Sequence, residues 1–160
     1  MAVGRFLAMA GVLVSRRLDG KYILLQRAYT RDWAPGEWEC ASGRLEEGED
    51  FIQAARREAF EELGIEVRIE CLLGTTHFYR GDTLPENEMI GVLFGCSVDD
   101  ITGFELSDEH SAYKWVTAEE AQSLFPHPHF MGRLIARAET FQLLMPRELR
   151  QLHWAGDLDF

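Results

Sequence analysis

Positive charge is scarce in this chain. Its 160 residues carry 27 acids against 16 Lys and Arg, a formal net charge of −11 at pH 7. Such a surface repels duplex nucleic acid and anionic membrane, and no basic stretch is present to hold RNA. If the protein handles phosphates, something must supply positive charge, and a divalent cation does so most simply. Cysteine is also rare. Cys40, Cys71 and Cys96 lie far apart and form no C-x-x-C pair. That argues against a disulfide framework or a zinc site, and for buried, reduced thiols in a cytoplasmic protein. Long apolar runs are missing. Phe6–Val14 is too short to span a bilayer. It runs past the faint cleavage pattern Ala8-Met9-Ala10 into a hairpin, so it reads as a strand and not a signal peptide. Repeats, low-complexity tracts and linkers are missing too, so one domain over residues 1–160 is expected. The 46% of apolar residues exclude disorder.

What is present reads as strands interleaved with helices. Phe6–Val14 lacks polar alternation, as a strand buried on both faces does. Asp19-Gly20 marks a turn, and Lys21–Ala28 a second strand. Tyr29–Glu37 is a loop, Trp38–Cys40 a short extended piece ending at Ser42-Gly43, and 44–49 an acidic loop. Asp50 and Gln53 make a capping box for a helix from Phe51 to Leu63, closed by Gly64. Its apolar stripe is Ile52, Ala55, Ala59 and Leu63. Val67, Ile69, Cys71 and Leu73 alternate with charged residues, which predicts a half-buried strand. Thr75–Tyr79, Glu88–Val98 and Tyr113–Val116 predict further strands. Thr117 and Glu120 open a short helix that ends before Pro126. Met131, Leu134, Ile135, Ala138, Phe141 and Met145 stripe a last helix stopped by Pro146. Several strands follow one another directly, so the expected α/β architecture has a mixed sheet between helical layers.

The chemistry concentrates on the helix 51–63. Glu58, Glu61 and Glu62 stand at i, i+3 and i+4 and share one face. Like charges at this spacing destabilise a helix by about 0.2–0.5 kcal/mol per pair. Arg57 offsets Glu61 only in part. A solvated acidic face is one account; a site for hard divalent cations, which take several carboxylate oxygens, is the other. The surrounding spacing decides between them. Gly43 is followed by five residues, Glu49, seven residues, and then Arg57-Glu58-Ala59-Phe60-Glu61-Glu62-Leu63-Gly64-Ile65. This resembles the signature of the Nudix hydrolases, with every fixed residue in register and Ala59 where a larger aliphatic residue is usual.

The resemblance implies a Nudix-type α/β/α sandwich with a mixed central sheet. It also implies a loop–helix–loop that holds Mg²⁺ or Mn²⁺ against a pyrophosphate. Glu58, Glu61, Glu62 and the Gly43 carbonyl then fall at the metal positions. Arg57 falls where it orients one acid by a charge-assisted hydrogen bond. Glu49 braces the loop or reaches metal through water. Many members read Pro-Gly-Gly where this chain reads Ala41-Ser42-Gly43. That departure adjoins the turn that aims the Gly43 carbonyl.

Outside the box, Glu109 is a candidate metal ligand or general base on a loop able to close over substrate, or else a surface residue. Glu61 is the base inside the box, and Glu88 a weaker competitor. Arg27, leaving its strand near the site, is a candidate phosphate contact. Trp33, Phe78 and Phe94 are candidates to stack on a nucleobase or to pack in the core. His127 and His129 lie in a region that approaches the base in MutT-like relatives, and His127 is the candidate contact. His110 reads as a loop histidine.

The expected activity is metal-dependent hydrolysis of a pyrophosphate bond in a nucleoside diphosphate linked to another group. A MutT-like (deoxy)nucleoside triphosphate pyrophosphohydrolase fits the short chain and the Glu109–Trp115 segment. An ADP-ribose or nucleotide-sugar hydrolase follows it. The spacings that mark the ADP-ribose and dinucleoside polyphosphate subgroups are off register at Tyr79 and Pro85. A nucleotide-binding module without turnover is the reading of another class, and retention of every box acid argues against it. The tail Arg147–Phe160 carries Leu149, Leu152, Trp154, Leu158 and Phe160, which dock on their own domain or form a homodimer contact.

Overall fold

A computed structural model describes residues 6–146. The Arg147–Phe160 tail, with its candidate dimer contact, lies outside the described residues. The strands are β1 (Leu7–Arg16), β2 (Tyr22–Arg27), β3 (Trp38–Glu39), β4 (Ala41–Arg44), β5 (Arg68–Tyr79), β6 (Glu88–Val98) and β7 (His110–Val116). The helices are α1 (Phe51–Leu63), α2 (Ala118–Leu124) and α3 (Phe130–Leu144), with a 3₁₀ turn at Pro85–Asn87. Among the described residues no helix is long and apolar enough to cross a membrane.

The seven strands form one mixed sheet in the order β3-β2-β1-β6-β5, with β4 on β1 and β7 on β2. β1 and β6 run parallel from Leu7↔Met89 to Arg16↔Val98, and the other pairs are antiparallel. The run Phe6–Val14 is thus central, which explains its lack of polar alternation. β1 touches β2 at Ser15↔Tyr22. Beyond that point β3 pairs β2 at Leu25↔Glu39, and β4 pairs β1 at Ala10↔Gly43. Residues 38–44 therefore pass from one strand to the other and bring Glu39 and Gly43 into the same fork.

The sheet has a core on each face. Ala10, Val12, Val14, Ile23 and Leu25 pack with Ala55, Ala59 and Leu63 of α1. Leu13, Tyr22 and Leu24 alternate to the other side, against Met131, Leu134 and Ile135 of α3. This is the expected three-layer α/β/α arrangement. All three cysteines are buried. Burial pushes the Cys40 thiol up to about 12, so it stays protonated and inert.

Two local expectations change. The strands expected at 67–73 and 75–79 are one strand, β5. Its register on β6 slips between Ile69 and Cys71 and again between Leu72 and Gly74. A bulge absorbs a break in alternation without ending a strand. Arg137 Nη1 covers the second slip by donating to the Leu73 carbonyl at 2.8 Å. The segment expected to end at Ser42-Gly43 continues as β4 through Arg44, because β1 supplies its ladder partners.

Candidate active site

α1 begins with both halves of its capping box. Asp50 Oδ1 accepts from the Ile52 and Gln53 amides at 2.7 and 2.8 Å, and Gln53 Oε1 accepts from the Asp50 amide at 2.9 Å. Gly64 ends it in the left-handed region at φ 69°. The helix lies on β1 and β4, so its acidic face is divided. Glu58 and Glu62 turn inward and are only 8% and 6% exposed, while the Glu61 side chain stands in solvent.

Gly43 faces Glu58 from β4. A Cβ on Gly43 would lie 1.9 Å from Glu58 Oε1. No side chain fits without moving that carboxylate. The Gly43 backbone is not in the positive-φ region, so alanine suits it. Gly43→Ala is therefore expected to fold normally, with its cost falling on Glu58. The concentration of Mg²⁺ for half activity should rise by about 10–100-fold, the range for disturbed metal-site geometry. Unchanged metal dependence in a folded variant would show that the close approach is packing alone.

Arg57 ties three acids together. Its Nε and Nη2 donate to the two oxygens of Glu49 at 2.7 and 2.9 Å. Nη1 donates to Glu58 Oε1 and to Glu61 Oε2, both at 2.8 Å, and Nη2 also to the Arg44 carbonyl at 2.9 Å. Glu49 Oε2 accepts further from the Glu46 amide at 2.9 Å. Arg57 holds the Glu49 carboxyl down, to about 2. Glu49 thus braces the loop through Arg57.

Glu62 has the opposite environment. Its Oε1 accepts from the Ser42 amide at 3.4 Å, and its Oε2 is buried without a hydrogen-bond partner. Ala41 and Ser42, the departure from Pro-Gly, lie in β4 opposite Val12 and Gly11 and keep that amide available. Burial, then the charges of Glu39, Glu58 and Glu109, hold the Glu62 carboxyl well above its ordinary range. Burial also raises Glu58, against the pull of Arg57. Two buried carboxylates with too little positive charge suit a hard cation. So do the orphaned Glu62 oxygen, the space kept by Gly43 and a donor set made only of oxygens. Among the described residues no three acids, histidines or cysteines close on one point, and Arg57 Nη1 bonds both Glu58 and Glu61.

A cleft of about 100 Å³ adjoins this group. Arg27, Trp33, Glu39, Gly43, Phe78 and Arg80 contribute to its wall. Arg27 donates to Glu39 Oε1 and to the Trp33 carbonyl, both at 2.8 Å. The Trp33 and Phe78 rings stand 6.5 Å apart at 21°, nearly parallel. A larger groove of about 730 Å³ runs past Arg56, Arg57, Phe60 and Arg68. The smaller cleft is the one that joins Ser42 and Gly43, which contact the two buried acids, to Arg27 and the two rings.

The remaining candidates separate clearly. Glu109 Oε2 pairs with Arg31 Nη2 at 2.8 Å, yet its charge still bears on Glu58 and Glu62. Its segment, expected to be a closing loop, is fastened at three points. The Glu105 and Ser107 amides donate to the Leu63 and Glu62 carbonyls, and the Ala28 amide to the Glu109 carbonyl. Glu88 pairs with His77 at 2.9 Å. Phe94 is buried core. His127 is exposed in the turn between α2 and α3 and does not line the cleft. His129 caps α3, its Nδ1 accepting from the Met131 amide at 3.2 Å. Two residues gained a place that sequence reasoning did not give them. Glu39 follows Trp38 directly ahead of the box, and His110 follows Glu109. His110 is not a loop residue: it is the buried first residue of β7. Its signal was the alternation of that strand, in which position 110 points inward and 111 outward.

The NUDIX domain family model matches residues 6–138. The asymmetrical bis(5'-nucleosyl)-tetraphosphatase of Caenorhabditis elegans is 31% identical over 137 residues, covering 82% of this chain and 94% of its own length. The nucleoside triphosphatase NudI of Salmonella agona is 33% identical over 109 residues, 64% of this chain and 77% of its own. The structure of a C. elegans Ap4A hydrolase binary complex superposes with a TM-score of 0.71 at 26% identity, over 87% of this chain and 99% of that one.

Proposed function

This chain belongs to the Nudix hydrolases and is a pyrophosphohydrolase, and from that premise we propose that it cleaves a nucleoside polyphosphate with Mg²⁺ or Mn²⁺. The substrate class we favour is a (deoxy)nucleoside triphosphate, split to the monophosphate and pyrophosphate. One observation supports a nucleotide substrate. The paired Trp33 and Phe78 rings and Gly43 of the acidic group line the same cleft. A base stacked on those rings would leave its phosphates pointing at Glu58 and Glu62.

Glu58, Glu61, Glu62 and the Gly43 carbonyl would hold the cation. When bound, it neutralises phosphate oxygens and makes water a better nucleophile. The chain's own residues do the rest. Arg57 sets Glu58 and Glu61 in place against Glu49. Arg27 holds Trp33 and Glu39 and offers a guanidinium beside the phosphate path. Water adds to one phosphorus, the P–O–P bridge breaks, and the bridging oxygen leaves with the departing phosphate. The proton of the water passes to a carboxylate, that of Glu109 or Glu61.

A second reading is favoured by the C. elegans relative, whose name specifies asymmetrical cleavage of a bis-nucleosyl tetraphosphate. Product analysis separates the two. The protein is offered dATP, diadenosine tetraphosphate and ADP-ribose in turn, with Mg²⁺. Pyrophosphate and dAMP from the first is the expected result. ATP and AMP from the second, at higher kcat/KM, would move the assignment to dinucleoside polyphosphates. AMP and ribose phosphate from the third would move it to ADP-ribose. Excess chelator should abolish turnover, and Mg²⁺ or Mn²⁺ should restore it. Tight binding of one compound with no turnover would make the chain a binding module.

A further inference from the structure

Among the described residues only five polar or charged side chains are buried: Ser15, Glu58, Glu62, Ser97 and His110. Two are acids of the box, and the buried histidine stands beside one of them, Glu62. His110 reaches this place through β2. It pairs with Arg27 just where the β2–β7 register shifts, between Gln26 and Arg27. Such irregularities re-aim side chains.

The ring is held at both nitrogens. Nε2 lies 3.2 Å from Glu39 Oε1, and Nδ1 3.5 Å from Ser107 Oγ. An ionised carboxylate only accepts, so Nε2 carries the proton and donates it to Glu39. Nδ1 faces the Ser107 hydroxyl, which can accept or donate. Arg27 donates to the same Glu39 oxygen, so Glu39 is fixed from two sides. Nε2 also lies 3.9 Å from Glu62 Oε2, which is too far for a hydrogen bond. The ring therefore backs the orphaned oxygen without satisfying it. Ser107 works at both ends of this arrangement, because its amide donates to the Glu62 carbonyl at 3.1 Å.

The geometry points to His110 as a positioning residue for the metal-holding carboxylates. Its Nε2–H hydrogen bond stops Glu39 from turning away, and its ring limits the rotation of Glu62. Glu62 Oε2 is left in place and unbonded, ready for a cation. Such supporting contacts around a metal site are worth about 10–100-fold in metal affinity or activity. This inference rests on the reading of Glu62 as a metal-holding acid.

The test compares three variants by direct Mn²⁺ binding to the free protein, read by electron paramagnetic resonance. Far-ultraviolet circular dichroism and melting in chelator establish that each is folded. Glutamine carries its amide near the Nε2 position and can still reach Glu39. Asparagine carries it near Nδ1 and cannot. His110→Gln should bind Mn²⁺ within about threefold of the unaltered protein, and His110→Asn and His110→Ala about 10–100-fold more weakly. The Mg²⁺ concentration for half activity should move in the same order. Should His110→Ala fail to fold, the Asn–Gln comparison decides alone. Equal Mn²⁺ affinity for the Asn and Gln variants would overturn the proposal, even if both melt early, and would make His110 a packing residue. If the unaltered protein binds no Mn²⁺, the metal reading itself fails and this inference with it. That outcome is distinct from a protein whose binding is strong and indifferent to position 110.

Discussion

Glu62→Gln should lose hydrolysis and yet melt at a higher temperature than the unaltered chain in chelator. Both effects come from one environment. The Glu62 carboxylate is buried, one oxygen has a single long bond from the Ser42 amide, and the other has none. Glu39, Glu58 and Glu109 add negative charge around it. An amide of the same shape removes the charge and keeps an oxygen for Ser42. Glutamine leaves an NH₂ where the orphaned oxygen stood, so the gain comes from the lost charge and its repulsion from neighbouring acids. A buried charge costs more than a neutral polar group, and a difference of about 1–3 kcal/mol is expected. At this chain length each kcal/mol is about 2–4 °C, which gives a rise of about 2–12 °C. The pH dependence has a definite sign. The folded-state pKa of Glu62 is raised, so the folded chain binds more protons than the unfolded one. Its stability in chelator falls as pH rises above the ordinary carboxyl range. The glutamine variant should lose that part of the slope. Mg²⁺ should raise the melting temperature of the unaltered chain and leave the variant nearly unmoved. A cation supplies several kcal/mol of transition-state stabilisation, so its loss lowers turnover by roughly 10³-fold or more. Scanning calorimetry at pH 5 and pH 8, with a turnover assay beside it, checks both halves. A variant that melts lower in chelator, or that still turns over, removes Glu62 from the metal site.

The helix carrying these acids was legible because its signals are local. Asp50, Gln53 and Gly64 specify its ends, and both caps form as read. The spacing from Gly43 to Ile65 carried the family resemblance, and the alternating strands gave the layers. The sequence could not say which of three neighbouring acids turns inward. Glu61 differs from Glu62 by one position, and only the packing of α1 on β1 and β4 buries one and exposes the other. Glu39 and His110 were hidden for a related reason. They lie 71 residues apart and meet only because β3 and β7 both pair with β2. No periodicity within either segment encodes that meeting. The bulges in β5 were hidden as well, since a bulge looks like the end of one alternating run and the start of another. Phe78 and Phe94 were equivalent as sequence. β5 carries the first to the cleft, and β6 buries the second.

Glu109→Gln is expected to cut kcat by about 10²–10⁴-fold, the usual contribution of a positioned acid or base. The carboxylate is not idle in the free protein, since Arg31 holds it at 2.8 Å. Both partners are partly exposed, at 34% and 43%, and such a pair is worth only about 0–1 kcal/mol. For Glu109 to act as the base, substrate would have to displace it from Arg31, and the weak pair would let it go at small cost. The backbone need not swing, because residues 105–109 are fastened to α1 and to Ala28. Delivery by Glu109 would then be a side-chain rotation, and its expected signature is kinetic. If Glu109 is the base, Mn²⁺ affinity of the free enzyme stays put and KM changes little while kcat falls. If Glu109 is a metal ligand, the Mg²⁺ concentration for half activity rises, and excess Mg²⁺ recovers part of the rate. A change of no more than a few-fold in either quantity makes Glu109 a surface partner of Arg31. Glu61 is then the base, because it is the solvent-facing acid of the box and is held only by Arg57 Nη1.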